Sequence, residues 1–214
     1  MKVKKRLQSR AEELANSISH GIGLLAALIA APILIVVTAR SGSTANIVGA
    51  VVFALCMVLT YLNSSIYHWM PQGQLKQLFR KFDHAAIFLL IAGTYTPFTL
   101  GVLNGAMGWT LFGLVWGIAG LGLLLMQFNR LGNQWVSNGL YLAMGWLIVV
   151  ATVPLVTHMA PAGLLLLLAG GLAYSGGVVF YALDARLRFG HFVWHLFVLA
   201  GSACHFFAVL WYAN

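Results

Sequence analysis

His191 and His195, in the stretch HFVWH, are four residues apart and would project from one face of a helix, one turn from each other. Ser64 and His68 in SSIYH stand in the same relation, and Asp83 and His84 follow in KFDHAAI. All of these groups are flanked by apolar runs, where an unpartnered polar side chain is costly to bury. Three imidazoles and one water are a familiar ligand set for catalytic zinc, so the chemistry expected of His68, His191 and His195 is Zn2+ binding. Asp83 would hold the water or orient a ligand imidazole. A lone HxxxH is weak evidence. The case here rests on a third histidine and an acid reaching the same depth from other segments. Haem is the competing ligand, but haems in helix bundles take axial histidines from opposing helices, and the adjacent pair suits one small ion better.

The elements that must bring these residues together are apolar. Of 214 residues, 61% are hydrophobic and only 7% charged, where a soluble domain carries about 25% charged residues. Stretches of about 20 apolar residues suffice to cross a bilayer. Seven can be drawn, at 18–38, 45–70, 83–103, 107–127, 135–156, 161–183 and 190–212. The connections are short, so the expected fold is all-α, a single polytopic seven-helix membrane domain over 1–214 with a short N-terminal segment over 1–16.

A net charge of +8 could suggest nucleic acid, but its distribution points to a membrane. Lys2, Lys4, Lys5, Arg6 and Arg10 precede the first span, and Lys76, Arg80 and Lys81 follow the second. Arg130 follows the fourth and Arg186 and Arg188 the sixth, which leaves only Arg40 on the other side. The positive-inside rule then puts the N-terminus in the cytoplasm and the C-terminus outside, the reverse of G-protein-coupled receptors. His68 ends the second span, Asp83 opens the third and His191 opens the seventh, so all fall in the inner half of the bilayer. The basic N-terminus resembles the start of a signal peptide, but Glu12, Glu13, Asn16 and His20 interrupt it and no small-residue cleavage site follows, which favours an uncleaved anchor. Cys56 and Cys204 lie inside spans and are expected to be core residues rather than a disulfide.

Other polar residues have plainer readings beside sharper ones. Glu12, Asn16 and His20 form an i, i+4, i+8 stripe entering the first span: either a solvated face or a hydrogen-bonding wall beside the metal. His84 and His158 are expected to be interfacial. His205 lies ten residues beyond His195, or about 15 Å along a helix, too far for the same ion, which leaves cavity lining or packing. Tyr95, Thr96 and Pro97 in AGTYTPF are expected to kink the third span, with Thr94 and Thr96 satisfying freed carbonyls. The glycines of GIAGLG and of the pairs at 170–171 and 176–177 are expected to permit close helix packing.

EELANSISHGIG, SSIYH, KFDHAAIFLLIAGTYTPF, LAMGW and HFVWHLFVLAGSACHF together resemble the bacterial haemolysin III proteins. These are the prokaryotic branch of the progestin and adiponectin receptor family, within a wider group that includes alkaline ceramidases. The likeness runs from about Glu12 to the C-terminus, with no departure at the metal positions. It implies that His68, His191 and His195 are zinc ligands, with Ser64 and Asp83 near the zinc-bound water. It also implies links to ceramide hydrolysis, membrane-lipid homeostasis and cytolysis.

The leading expectation is a bacterial inner-membrane protein with a lipid-facing cavity and metal-dependent hydrolase chemistry on a lipid amide or ester, with Asp83 as general base and Ser64 hydrogen-bonding the water or the developing oxyanion. Its partners would be membrane lipids, not nucleic acid. The alternatives are a non-enzymatic sensor of membrane state in which zinc is a structural staple, and a pore, for which no polar stripe runs through a span. Zinc transport would need a second set of ligands toward the outer side, and the sequence offers none.

Overall fold

A computed structural model describes residues 6–40, 42–128, 130 and 134–213. Among them are eight α-helices and no strand: α1 (Arg10–Ala39), α2 (Thr44–Trp69), α3 (Gln74–Pro97), α4 (Gly105–Gln127), α5 (Gln134–Trp146), α6 (Thr152–His158), α7 (Pro161–Ala182) and α8 (Gly190–Tyr212). A π-helical turn, Phe98–Leu103, continues α3, and a 3-10 segment, Leu147–Ala151, joins α5 to α6. Seven spans result, because α5, the 3-10 segment and α6 form one continuous fifth span, Trp135–His158. Lys2, Lys4, Lys5 and Asn214 lie outside the described residues.

Two spans begin earlier than the apolar pattern suggests. The first starts at Arg10, where Ser9 accepts from the Glu12 N–H and the Glu12 carboxylate accepts from the Ser9 N–H, a capping box that supplies partners for otherwise orphaned amides. The third starts at Gln74, so Asp83 lies more than two turns into the helix rather than at its first residue. The intervening QLKQLFRKF is helical but too polar to register as membrane-spanning, which is why hydropathy alone misses it.

The third span is the axis of the bundle. Of its most apolar stretch 78% is buried, against 22% for the first span and 17% for the sixth. One apolar core gathers Phe53, Met57, Tyr61, Leu90 and Val198, and a second gathers Phe88, Ala92, Val115, Tyr141 and Met144. The outward faces stay apolar: Leu25, Ile29, Ile33 and Val36 on α1 are exposed at helical spacing. An apolar rim of this kind needs hydrocarbon around it.

After Pro97, which has no N–H to donate to the Gly93 carbonyl, the helix widens into the π turn. Thr94 and Thr96 hydroxyls donate to the carbonyls of Leu90 and Ala92, 2.7 and 2.9 Å, each four residues back, so contrary to expectation these bonds do not go to the Gly93 carbonyl that Pro97 frees. Gly49 packs on this turn, and a Cβ there would come within 2.6 Å of the Pro97 Cα. Gly122, Gly170 and Gly177 likewise pack on side chains of neighbouring spans, whereas Gly117 and Gly120 face open space.

Candidate metal centre

His68 occupies the last turn of α2, and His191 and His195 the first two turns of α8; all three are buried. Each offers one ligand nitrogen, and these atoms lie within 4.8 Å of one another. The ring centroids are 4.8 to 5.1 Å apart. Zn–N bonds of about 2.1 Å at a tetrahedral ion place ligand nitrogens roughly 3.4 Å apart. Small side-chain rotations therefore close the triad on one ion, and the donor set fits zinc.

Neighbouring groups determine which nitrogen each ring presents. The Glu13 carboxylate accepts from His68 Nδ1–H at 2.7 Å, and His68 Nε2 is buried with no hydrogen-bond partner among the described residues. His195 Nδ1–H donates to the Asn16 carbonyl, 3.2 Å, with Ser19 Oγ at 3.1 Å. A carboxylate and a carbonyl can only accept, so the protons sit on Nδ1 and the Nε2 lone pairs are left for a metal. Asp184 Oδ2 lies 3.4 Å from His191 Nδ1.

The start of α8 is pinned from across the bundle. Phe189 has φ of 59°, an uncommon conformation for a bulky residue, and its N–H donates to Glu12 Oε1 at 2.9 Å. Arg6 grips the same carboxylate with two N–H groups, 2.6 and 2.8 Å, and Glu12 in turn raises the guanidinium pKa above its ordinary value. Glu12 thus anchors the turn that aims His191. Asn16 and His20 do reach the triad: the His20 ring stacks on His195 with centroids 3.5 Å apart and planes 7° from parallel. The His20 ring and the Ser64 hydroxyl are buried, and the hydroxyl has no hydrogen-bond partner among the described residues.

A cavity of about 110 Å³ leads away from the triad. Asp83, His20, His191 and His195 line one part of it, and Tyr95, Tyr174 and His205 line it further along the spans. Asp83 lies outside the donor triad, and its ion-pair neighbour among the described residues is His84, 3.6 Å away, not Lys81. Gly145 and Trp146 line the cavity and are also exposed on the flank of the bundle, so the cavity opens sideways between the fifth and sixth spans. There the Trp146 indole N–H donates to Ser175 Oγ at 3.0 Å. The Tyr95 hydroxyl meets the 3-10 break in the fifth span, accepting from the Ile148 N–H and donating to the Met144 or Gly145 carbonyl, all at 2.8 Å. His205 Nε2 faces the Leu167 carbonyl at 3.2 Å.

Three features depart from the sequence-based expectation. Glu13, not anticipated at all, is the carboxylate on a ligand imidazole. Lys76, expected only as a cytoplasmic charge, is buried beside it. His84, expected at the interface, is half-buried with Nε2 3.1 Å from the Tyr181 hydroxyl, whose ring lies 5.6 Å from His191. The signal for Glu13 was its spacing: Glu13, Asn16 and His20 fall at i, i+3 and i+7 on one helical face. His158 stays exposed with local contacts only, and Cys56 and Cys204 are free thiols.

A family model described as Haemolysin-III related matches residues 8–206. The chain is 44% identical over 201 residues to Hemolysin-3 of Bacillus cereus, covering 94% of this chain and 91% of that protein. It is 43% identical over 201 residues to a Hemolysin-3 homolog of Bacillus subtilis, covering 94% of each. A more distant relative, 27% identical over 208 residues, is the human monocyte to macrophage differentiation factor, with 92% of this chain and 83% of that one covered. No solved structure matches the chain significantly.

Proposed function

Because the chain belongs to the haemolysin-III-related family of multi-pass membrane proteins, we propose that it is a zinc-dependent hydrolase of a lipid amide or ester bond, acting in membrane-lipid homeostasis from the bacterial inner membrane. The observation that carries this reading is the meeting of three metal-competent imidazoles with an apolar cavity that opens toward the lipid. Zinc, when bound, supplies Lewis acidity for a carbonyl and lowers the pKa of a coordinated water to about 7.

The protein's own residues would do the rest. His68, His191 and His195 would hold the ion through Nε2. The apolar walls, among them Ile87, Leu90, Ile91 and Val198, would receive an acyl chain and exclude water. Asp83, at the triad end of the cavity, would take the proton from the attacking water as general base and return it to the leaving nitrogen or oxygen as the amide C–N or ester C–O bond breaks. Ser64, one helical turn from His68, would hydrogen-bond the water or the oxygen on which charge develops.

The purified protein should contain one zinc per chain and release fatty acid from members of a panel of ceramides and phospholipids, in proportion to zinc occupancy. Asp83→Asn should keep the metal and lose the release. A second reading, a membrane-state sensor with zinc as a staple, is favoured by the triad's tying the second span to the seventh; full zinc with no turnover on any lipid would select it and overturn the hydrolase.

A further inference from the structure

The Glu13 carboxylate divides its two oxygens. Oε2 accepts from the ligand His68, and Oε1 pairs with Lys76 Nζ at 2.9 Å. Lys76 lies on α3 and is only 5% exposed, a depth at which a lysine needs every proton matched. It has three to donate, and the remaining two go to the carbonyls of Tyr67 and Met70, each at 3.1 Å. Those carbonyls end α2, the helix whose last turn carries His68, and a cation there also complements the negative end of the helix dipole. The ammonium also lies 4.8 Å from the centroid of the Tyr67 ring.

We propose that Glu13 and Lys76 are a positioning pair for the metal centre: Glu13 holds the His68 proton on Nδ1 and turns Nε2 to the ion, and Lys76 fixes Glu13 while capping the helix that carries His68. The proposal rests on the metal-centre reading above but not on any turnover. It makes the metal affinity of a residue on the second span depend on a carboxylate from the first and an ammonium from the third. A carboxylate on the far nitrogen of a ligand imidazole raises its basicity as well as aiming it, and losing such a partner typically lowers metal affinity about 10–100-fold. A purely structural ion pair would instead affect the fold and leave the ion's surroundings unchanged.

The test uses full-length protein in detergent, stripped of metal and reloaded with Co2+, whose visible absorption reports the strength and geometry of its ligands. Glu13→Gln keeps the side chain's shape and an acceptor for Nδ1–H but removes the charge. It should weaken Co2+ binding about 10-fold or more and shift the visible bands. Lys76→Met should lower the unfolding temperature of the metal-free protein, because Glu13 is left charged and half-buried, and should also weaken Co2+ binding and shift the bands, because Glu13 is no longer fixed against His68. The double variant Glu13→Gln/Lys76→Met leaves no unmatched charge, so it should regain much of the metal-free stability and still bind Co2+ weakly. Wild-type affinity and bands in both Glu13→Gln and the double variant would reduce the pair to a structural contact and overturn the proposal. If the unaltered protein binds neither Co2+ nor Zn2+, the metal-centre reading itself fails, a distinct result that removes this proposal with it.

Discussion

At the scale of single residues, His191 and His195 can be recognised from spacing because imidazoles at i and i+4 share a helix face whatever surrounds them, while His68 joins them only through its matched depth on the second span. His191→Ala or His195→Ala should remove most bound zinc, measured by elemental analysis of purified protein, whereas His158→Ala, on the exposed α6, should leave it unchanged. Stoichiometric zinc in the His191 variant would mean that the site is wrongly drawn. What spacing does not reveal is which neighbouring carboxylate meets which ring. Glu12 and Glu13 are adjacent, about 100° apart around the helix. One anchors the Phe189 amide and the other a ligand imidazole. That assignment depends on where the second and seventh spans pack, which no local pattern encodes.

At the scale of elements, span number and approximate ends follow from apolar runs, while irregular turns follow only where a breaker residue marks them. Pro97 marks the π turn. The 3-10 break at Leu147–Ala151 carries no such mark, since LIVVA reads as an ordinary apolar run. The break persists because the Tyr95 hydroxyl, from another span, supplies partners to the Ile148 N–H and to a carbonyl beside it. Tyr95→Phe should leave those buried groups unmatched and cost about 1–3 kcal/mol, visible as a lower unfolding temperature with zinc content unchanged. An unaltered unfolding temperature would mean that the segment holds its shape without the hydroxyl.

For the whole molecule, eleven basic residues that in sequence lie at or near the starts of the first, third, fifth and seventh spans, against Arg40 after the first, predict the N-terminus inside and the C-terminus outside. A periplasm-active reporter fused after Asn214 should therefore be active, and one fused after Arg130 inactive; the opposite pattern would invert the bundle and place the triad in the outer half. The contacts among His68, His191 and Glu13 have a consequence for how the protein is made. A ribosome delivers the spans in order, so Glu13, His68 and Lys76 can assemble while the chain is still short, but two of the three imidazoles come only with the final span. An ion held by all three imidazoles can then be retained only once the seventh span has been inserted. A chain ending before Gly190 should enter the membrane and carry no zinc, so metal uptake would report that the seventh span is in place.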